Sequence, residues 1–207
     1  MKTRTKALLL ALSAVLLVVS TVFATMAYLT SKSSLVTNTF TVGNVQITLD
    51  EAKVNVYGKP VDAEGKEVEL ANAPRQTTNT YKLLPGHEYT KDPIVHVIEG
   101  SEECWLFVKV VDAIAAIQDA DTVAEQMTDK GWTPVAGAEN VWAYNAKVDA
   151  RNAAQNVPVF DYFKITGTAD VAAYNSKTIT VQAYAIQADG FNTAADAWAA
   201  APATWDN

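Results

Sequence analysis

Val45-Gln46-Ile47-Thr48-Leu49 alternates apolar and polar side chains at every step. A period of two puts Val45, Ile47 and Leu49 on one side of an extended chain and Gln46 and Thr48 on the other. Such a segment buries its apolar half only by joining a sheet laid over a core. The same patterning recurs at Thr39–Val42, Lys53–Tyr57, Thr80–Leu84, Ile94–Ile98, Trp105–Val111, Val141–Tyr144, Val157–Thr166 and Lys177–Gln187. Trp105–Val111 and Val159–Ile165 are apolar on both faces, which suits central strands covered on each side.

Turn-forming residues separate these runs: Gly43-Asn44, Gly58-Lys59-Pro60, Leu84-Pro85-Gly86, Asp92-Pro93, Glu99-Gly100-Ser101 and Asp189-Gly190. Many short strands at such spacing predict an all-β fold, a jelly-roll-like antiparallel β-sandwich. Two short helical insertions carry their own start signals. Thr122 and Glu125 form a capping-box pair ahead of Val123 and Met127, with Gly131 as the stop, so a helix is expected at about Thr122–Lys130, after a turn over Ala113–Gln118. Thr193-Ala194-Ala195-Asp196 repeats the pattern before an alanine-rich stretch that ends at Pro202. Residues 60–76, rich in Asp, Glu, Lys, Ala and Asn, read as a solvated insertion or hairpin.

The chain's beginning has a different character. Lys2, Arg4 and Lys6 precede a stretch from Ala7 to Ala24 broken only by Ser13, Ser20 and Thr21, and small residues follow at Thr25 and Ala27. This is the order of a secretory signal helix, with cleavage expected between Ala27 and Tyr28; residues 1–27 are the leader and residues 28–207 one domain. The apolar stretch approaches bilayer-spanning length, so an uncleaved anchor is the alternative, and the only expected membrane association. Of 16 basic residues the leader holds three, leaving 13 against 23 acidic ones, a formal charge of −10. That charge disfavours nucleic acid and anionic lipid as partners. The single cysteine, Cys104, has no partner for an intrachain disulfide and lies beside Trp105-Leu106-Phe107, where a buried apolar role is expected.

No catalytic or cofactor motif emerges. His87 and His96 are the only histidines, nine residues apart across Asp92-Pro93, whereas a zinc-protease helix needs two histidines four apart around a glutamate. We therefore expect a loop role for His87, a hydrogen-bonded strand role for His96 and no metal site. Neither a nucleophile elbow nor a glycine-rich phosphate loop is present. Glu99, Glu102 and Glu103 read as a solvated acidic loop. Trp132, Trp142, Trp198 and Trp205 are expected to seal the core rather than to form a carbohydrate platform.

One resemblance is carried by particular residues: Ala27-Tyr28-Leu29-Thr30-Ser31, then Val36-Thr37-Asn38-Thr39-Phe40-Thr41-Val42-Gly43-Asn44-Val45 and on to Glu51. Leu83-Leu84-Pro85-Gly86, Asp92-Pro93-Ile94-Val95 and Thr180–Phe191 add to it. Together they resemble the TasA/camelysin family of Gram-positive bacteria. The resemblance implies a leader removed by a SipW-type signal peptidase and a secreted, non-enzymatic jelly-roll subunit of biofilm matrix fibres at the cell surface. It also implies self-association, or association with related matrix subunits, by strand exchange. The donor would be residues 28–42, with Leu35, Val36, Phe40 and Val42 as anchors; the alternative is that Thr39–Val42 is an edge strand of its own sandwich. Some family members are described as metalloproteases, so an extracellular metalloendopeptidase is the enzymatic alternative, although no catalytic residue carries over. A monomeric surface adhesion domain is a third reading.

Overall fold

The computed structural model describes Ser13 and residues 44–201. The expected leader, its cleavage site at Ala27 and Tyr28, the anchors Leu35, Val36, Phe40 and Val42, and Trp205 lie outside the described residues. The chain divides into two units, Met1–Thr41 and Val42–Asn207.

The second unit is mostly β-strand in antiparallel sheets, with two α-helices among the described residues. Strands β1 (Ile47–Ala52), β2 (Arg75–Gln76), β3 (Glu88–Thr90), β4 (Ile94–Val97), β5 (Ser101–Asp112), β6 (Trp132–Pro134), β7 (Val141–Tyr144), β8 (Val148–Ala150), β9 (Gln155–Pro158), β10 (Tyr162–Lys164) and β11 (Ile179–Gln187) are joined by helices α1 (Val123–Asp129) and α2 (Ala194–Ala199). A four-stranded sheet runs β2-β1-β4-β9 and a five-stranded sheet β11-β5-β7-β6, with β8 also on β5; β10 and β3 form a two-stranded ribbon. The longest pairing joins β11 to β5, from Ile179 opposite Asp112 to Gln187 opposite Cys104.

Alternation decides where the core lies. In β5, Cys104, Leu106, Val108 and Val110 point into a large apolar cluster with Val95 and Val97 of β4 and Val157 of β9, so the four- and five-stranded sheets share one core. Trp105 and Phe107 point the other way into a smaller cluster, where Trp198 of α2 lies 5.1 Å from the Phe107 ring. The two-sided apolar pattern of this strand thus reflects cover on both faces. Both helices begin with the expected capping boxes, Thr122 with Glu125 and Thr193 with Asp196, and Gly131 follows α1 at φ +89.

Three expected strands depart from the pattern. Lys53–Tyr57 is a tight reversal, because the Asn55 side chain accepts from the Tyr57 and Lys59 N–H groups and Gly58 N–H closes on the Asn55 carbonyl. Thr80–Leu84 keeps its alternation, with Tyr81 and Leu83 against the core, yet joins no ladder among the described residues. Val157–Thr166 breaks into β9 and β10 at a corner. There Val159 and Phe160 are both fully buried, and the Gln126 side chain accepts the Asp161 and Tyr162 N–H groups, which holds the corner. Glu102 and Glu103 belong to β5, since the acidic loop is only the turn at Glu99-Gly100. Residues 60–76 are solvated for most of their length but return as β2, which pairs Arg75 with Ala52.

Candidate functional site

Among the described residues, the outer edge of β1 is only partly paired. β4 pairs with one edge of β1 from Ile47 to Asp50, while on the other edge β2 meets only Glu51 and Ala52. Ile47–Asp50 therefore offers an outer edge that pairs with no strand among the described residues. The start of β11, from Ile179 to Val181, is likewise paired only to β5 among the described residues. A groove of about 1140 Å³ lies between these two strands, walled by residues 77–83 and 171–178. Leu49, Tyr81, Leu83, Val171, Ile179 and Val181 line it; all six are half-buried and packed against the main core. The apolar interior thus reaches the surface along this seam.

A dense polar network meets the groove at Asp50. Arg75 donates to Asp50 at 2.7 Å through Nε and to Asp92 at 2.5 Å through Nη1, and also reaches the Asp50 and Asp92 carbonyls. His96 lies 2.9 Å from the same Asp50 carboxylate through Nε2. Burial alone would raise the Asp50 pKa, but the His96 and Arg75 hydrogen bonds outweigh it and hold the carboxyl below its usual range. The Ala52 N–H donates to Asp92 at 2.7 Å, which ties β1 to the turn before β4.

Next to this network Glu51 and Lys91 form a buried ion pair, Nζ to Oε2 at 2.5 Å, with side chains 7% and 10% exposed. The other oxygen of Glu51 accepts from Asn79 Nδ2 at 2.9 Å. The orientation of the Asn79 amide is fixed by its neighbours, because Nδ2 also donates to the Ala52 carbonyl while Oδ1 accepts from the Val54 N–H at 3.0 Å and from Gln76 Nε2 at 2.5 Å. Burial, followed by the charges of Glu51 and Asp92, pushes the Tyr81 hydroxyl far above its ordinary pKa.

The residues singled out from sequence lie apart from this constellation, except His96. His87 is half-buried rather than a free loop residue: Nε2 lies 2.9 Å from the Tyr57 carbonyl and the ring packs edge-on to Tyr89. His96 sits in β4 between Asp50 and Asn156, whose Oδ1 is 2.6 Å from Nδ1. Among the described residues no group of three or more His, Cys, Asp and Glu is placed to hold a metal ion. Cys104 is fully buried, and burial with the adjacent Glu103 charge pushes its thiol up to about 12. Trp132 is buried beside Tyr144 and donates to the Pro158 carbonyl, Trp142 packs on the main core, and Trp198 covers Phe107. Sequence reasoning misses Glu51, Asn79 and Lys91 altogether. One signal is present: in an alternating strand, consecutive Asp50 and Glu51 put one carboxylate on the inward side.

No family model, curated protein or solved structure matches the chain.

Proposed function

We propose that this chain is a secreted, non-enzymatic subunit of extracellular matrix fibres of the TasA/camelysin kind, whose two larger sheets form a jelly roll completed by a strand from a neighbouring copy. The groove between β1 and β11 supports this reading most directly. An inserted strand would pair with backbone groups of Ile47–Asp50 on one side and of Ile179–Val181 on the other. Its alternate side chains would cover Leu49, Tyr81 and Val181, removing half-exposed apolar area from water.

The donor in this reading is residues 28–42, freed by cleavage between Ala27 and Tyr28. Fifteen residues in extended form span about 50 Å, enough to reach from one subunit into the next. Leu35, Val36, Phe40 and Val42 supply the anchors, and the polar Thr30-Ser31-Lys32-Ser33-Ser34 stretch keeps the free segment soluble. Export by a SipW-type peptidase and residence in the biofilm matrix or at the cell surface belong to the same proposal.

Electron microscopy of the purified mature protein tests it. Filaments are expected from residues 28–207 and none from a chain lacking 28–42 that retains its β-sheet circular dichroism. A mature protein that stays monomeric across concentration and pH would defeat the proposal.

A further inference from the structure

Glu51, Asn79 and Lys91 hold more than a salt bridge. One buried carboxylate grips an amine through one oxygen and a primary amide through the other, Lys91 Nζ at 2.5 Å and Asn79 Nδ2 at 2.9 Å. The amide carbonyl of the same asparagine points into two donors, the Val54 N–H and Gln76 Nε2. A nucleophile, a proton carrier, an electrophilic carbon and a pair of oxyanion donors are thereby brought together. We propose that Lys91 and Asn79 become joined by an intramolecular isopeptide bond, with Glu51 as the acid-base catalyst.

The chemistry needs no other reactant. Glu51 Oε2 takes a proton from Nζ across their hydrogen bond, and this transfer neutralises both partners in a place where separated charges are poorly solvated. The free amine adds to Asn79 Cγ, and the negative charge that develops on Oδ1 is held by Val54 and Gln76. A proton from the former ammonium reaches Nδ2 through Glu51, which hydrogen-bonds both nitrogens. The Cγ–Nδ2 bond then breaks, and Glu51 passes the second proton given up by Nζ to the departing ammonia, which leaves as ammonium. The new Nζ–Cγ amide replaces the asparagine amide, Glu51 ends as it began, and nothing is oxidised or reduced.

Confinement supplies the driving geometry. Lys91 and Glu51 are 9% and 5% exposed as whole residues, so the pair is shielded from bulk water, and fixing both reactants replaces a bimolecular encounter by an effectively unimolecular one. All three residues also line the groove, which gives the ammonia an exit. The bond would fasten the unpaired wall 77–83 to the turn that leads into β4. It does not depend on fibre assembly, and it would stand if the groove took no strand at all.

Mass spectrometry of a tryptic digest of the full secreted chain decides the matter. An acylated Lys91 resists trypsin, so residues 76–82 are expected covalently attached to residues 83–109, lighter by one ammonia than the two peptides together. Separate peptides 76–82 and 83–91 of unmodified mass would overturn the proposal. Loss of ammonia at Asn79 with Lys91 still cleaved would overturn it equally. Glu51→Gln is expected to yield only unlinked peptides, and linkage undiminished in that variant would remove Glu51 from the reaction. Should Glu51→Gln fail to fold, the wild-type digest still decides.

Discussion

Gly58 shows how much a single position can be dictated by a remote one. Its φ is +74, in the left-handed region, and a Cβ placed on it would lie 2.6 Å from Tyr89 Cα. Backbone strain and collision with main chain act together here, because a neighbouring backbone cannot move aside as a side-chain tip can. Gly58→Ala should therefore cost roughly 2 kcal/mol or more, read as a lower urea midpoint at unchanged slope. An unchanged midpoint would show that the reversal shifts away from Tyr89 at little cost. The turn itself is legible, since Gly58-Lys59-Pro60 is local punctuation. Its contact with Tyr89 is not, because nothing in either local sequence refers to the other. The same limit hides Glu51, Asn79 and Lys91: each is an ordinary polar residue until the fold sets one carboxylate between an amine and an amide.

At the scale of elements, the helix starts are legible because their capping boxes close locally, the local reversal at Asn55–Lys59 is masked by alternation, and features that need a distant partner are not legible. Thr122 with Glu125 and Thr193 with Asp196 close their capping boxes inside one helical turn. Alternation rightly places Tyr81 and Leu83 inward, but it says nothing of whether a neighbouring strand exists, and here none pairs with them among the described residues. The Arg75 network likewise joins elements far apart in sequence, linking β2 to β1 and to the turn before β4. Because Asp50 ionises more readily in this network than at its ordinary 3.8, the folded state binds fewer protons there than the unfolded state. Its contribution is present above that value and is lost as pH falls through the lower folded value. Asp50→Asn should cost about 2 kcal/mol at neutral pH, the usual scale for charge-assisted hydrogen bonds. The difference from wild type should shrink below pH 3.8. Urea titrations along a pH series test this, and a difference independent of pH would show that Asp50 acts through shape alone.

For the molecule as a whole, the decisive quantity is the free energy released when a strand enters the groove. An edge strand folded back within one chain and a strand donated between chains bury similar side chains, so stability alone does not separate them; concentration dependence does. A chain beginning at Gly43 leaves the groove unfilled under the proposed function, and a synthetic peptide of residues 28–42 then acts as a ligand for the folded state only. Its stabilisation grows with peptide concentration and reaches about 2.7 kcal/mol at a hundredfold excess over Kd. A rising melting temperature is expected with this peptide, and none with one in which Phe40 and Val42 are replaced by serine. Val181→Asp should abolish the shift from the receiving side, because it places a carboxylate where an apolar anchor would seat. The same peptide added to mature full-length protein should shorten filaments by occupying grooves that subunits would otherwise fill. Stabilisation of the truncated chain without any effect on the state of the full chain would instead identify an intramolecular edge strand. No stabilisation at any concentration would mean that the seam between β1 and β11 is not a strand acceptor, and fibre formation, if seen, would require another surface.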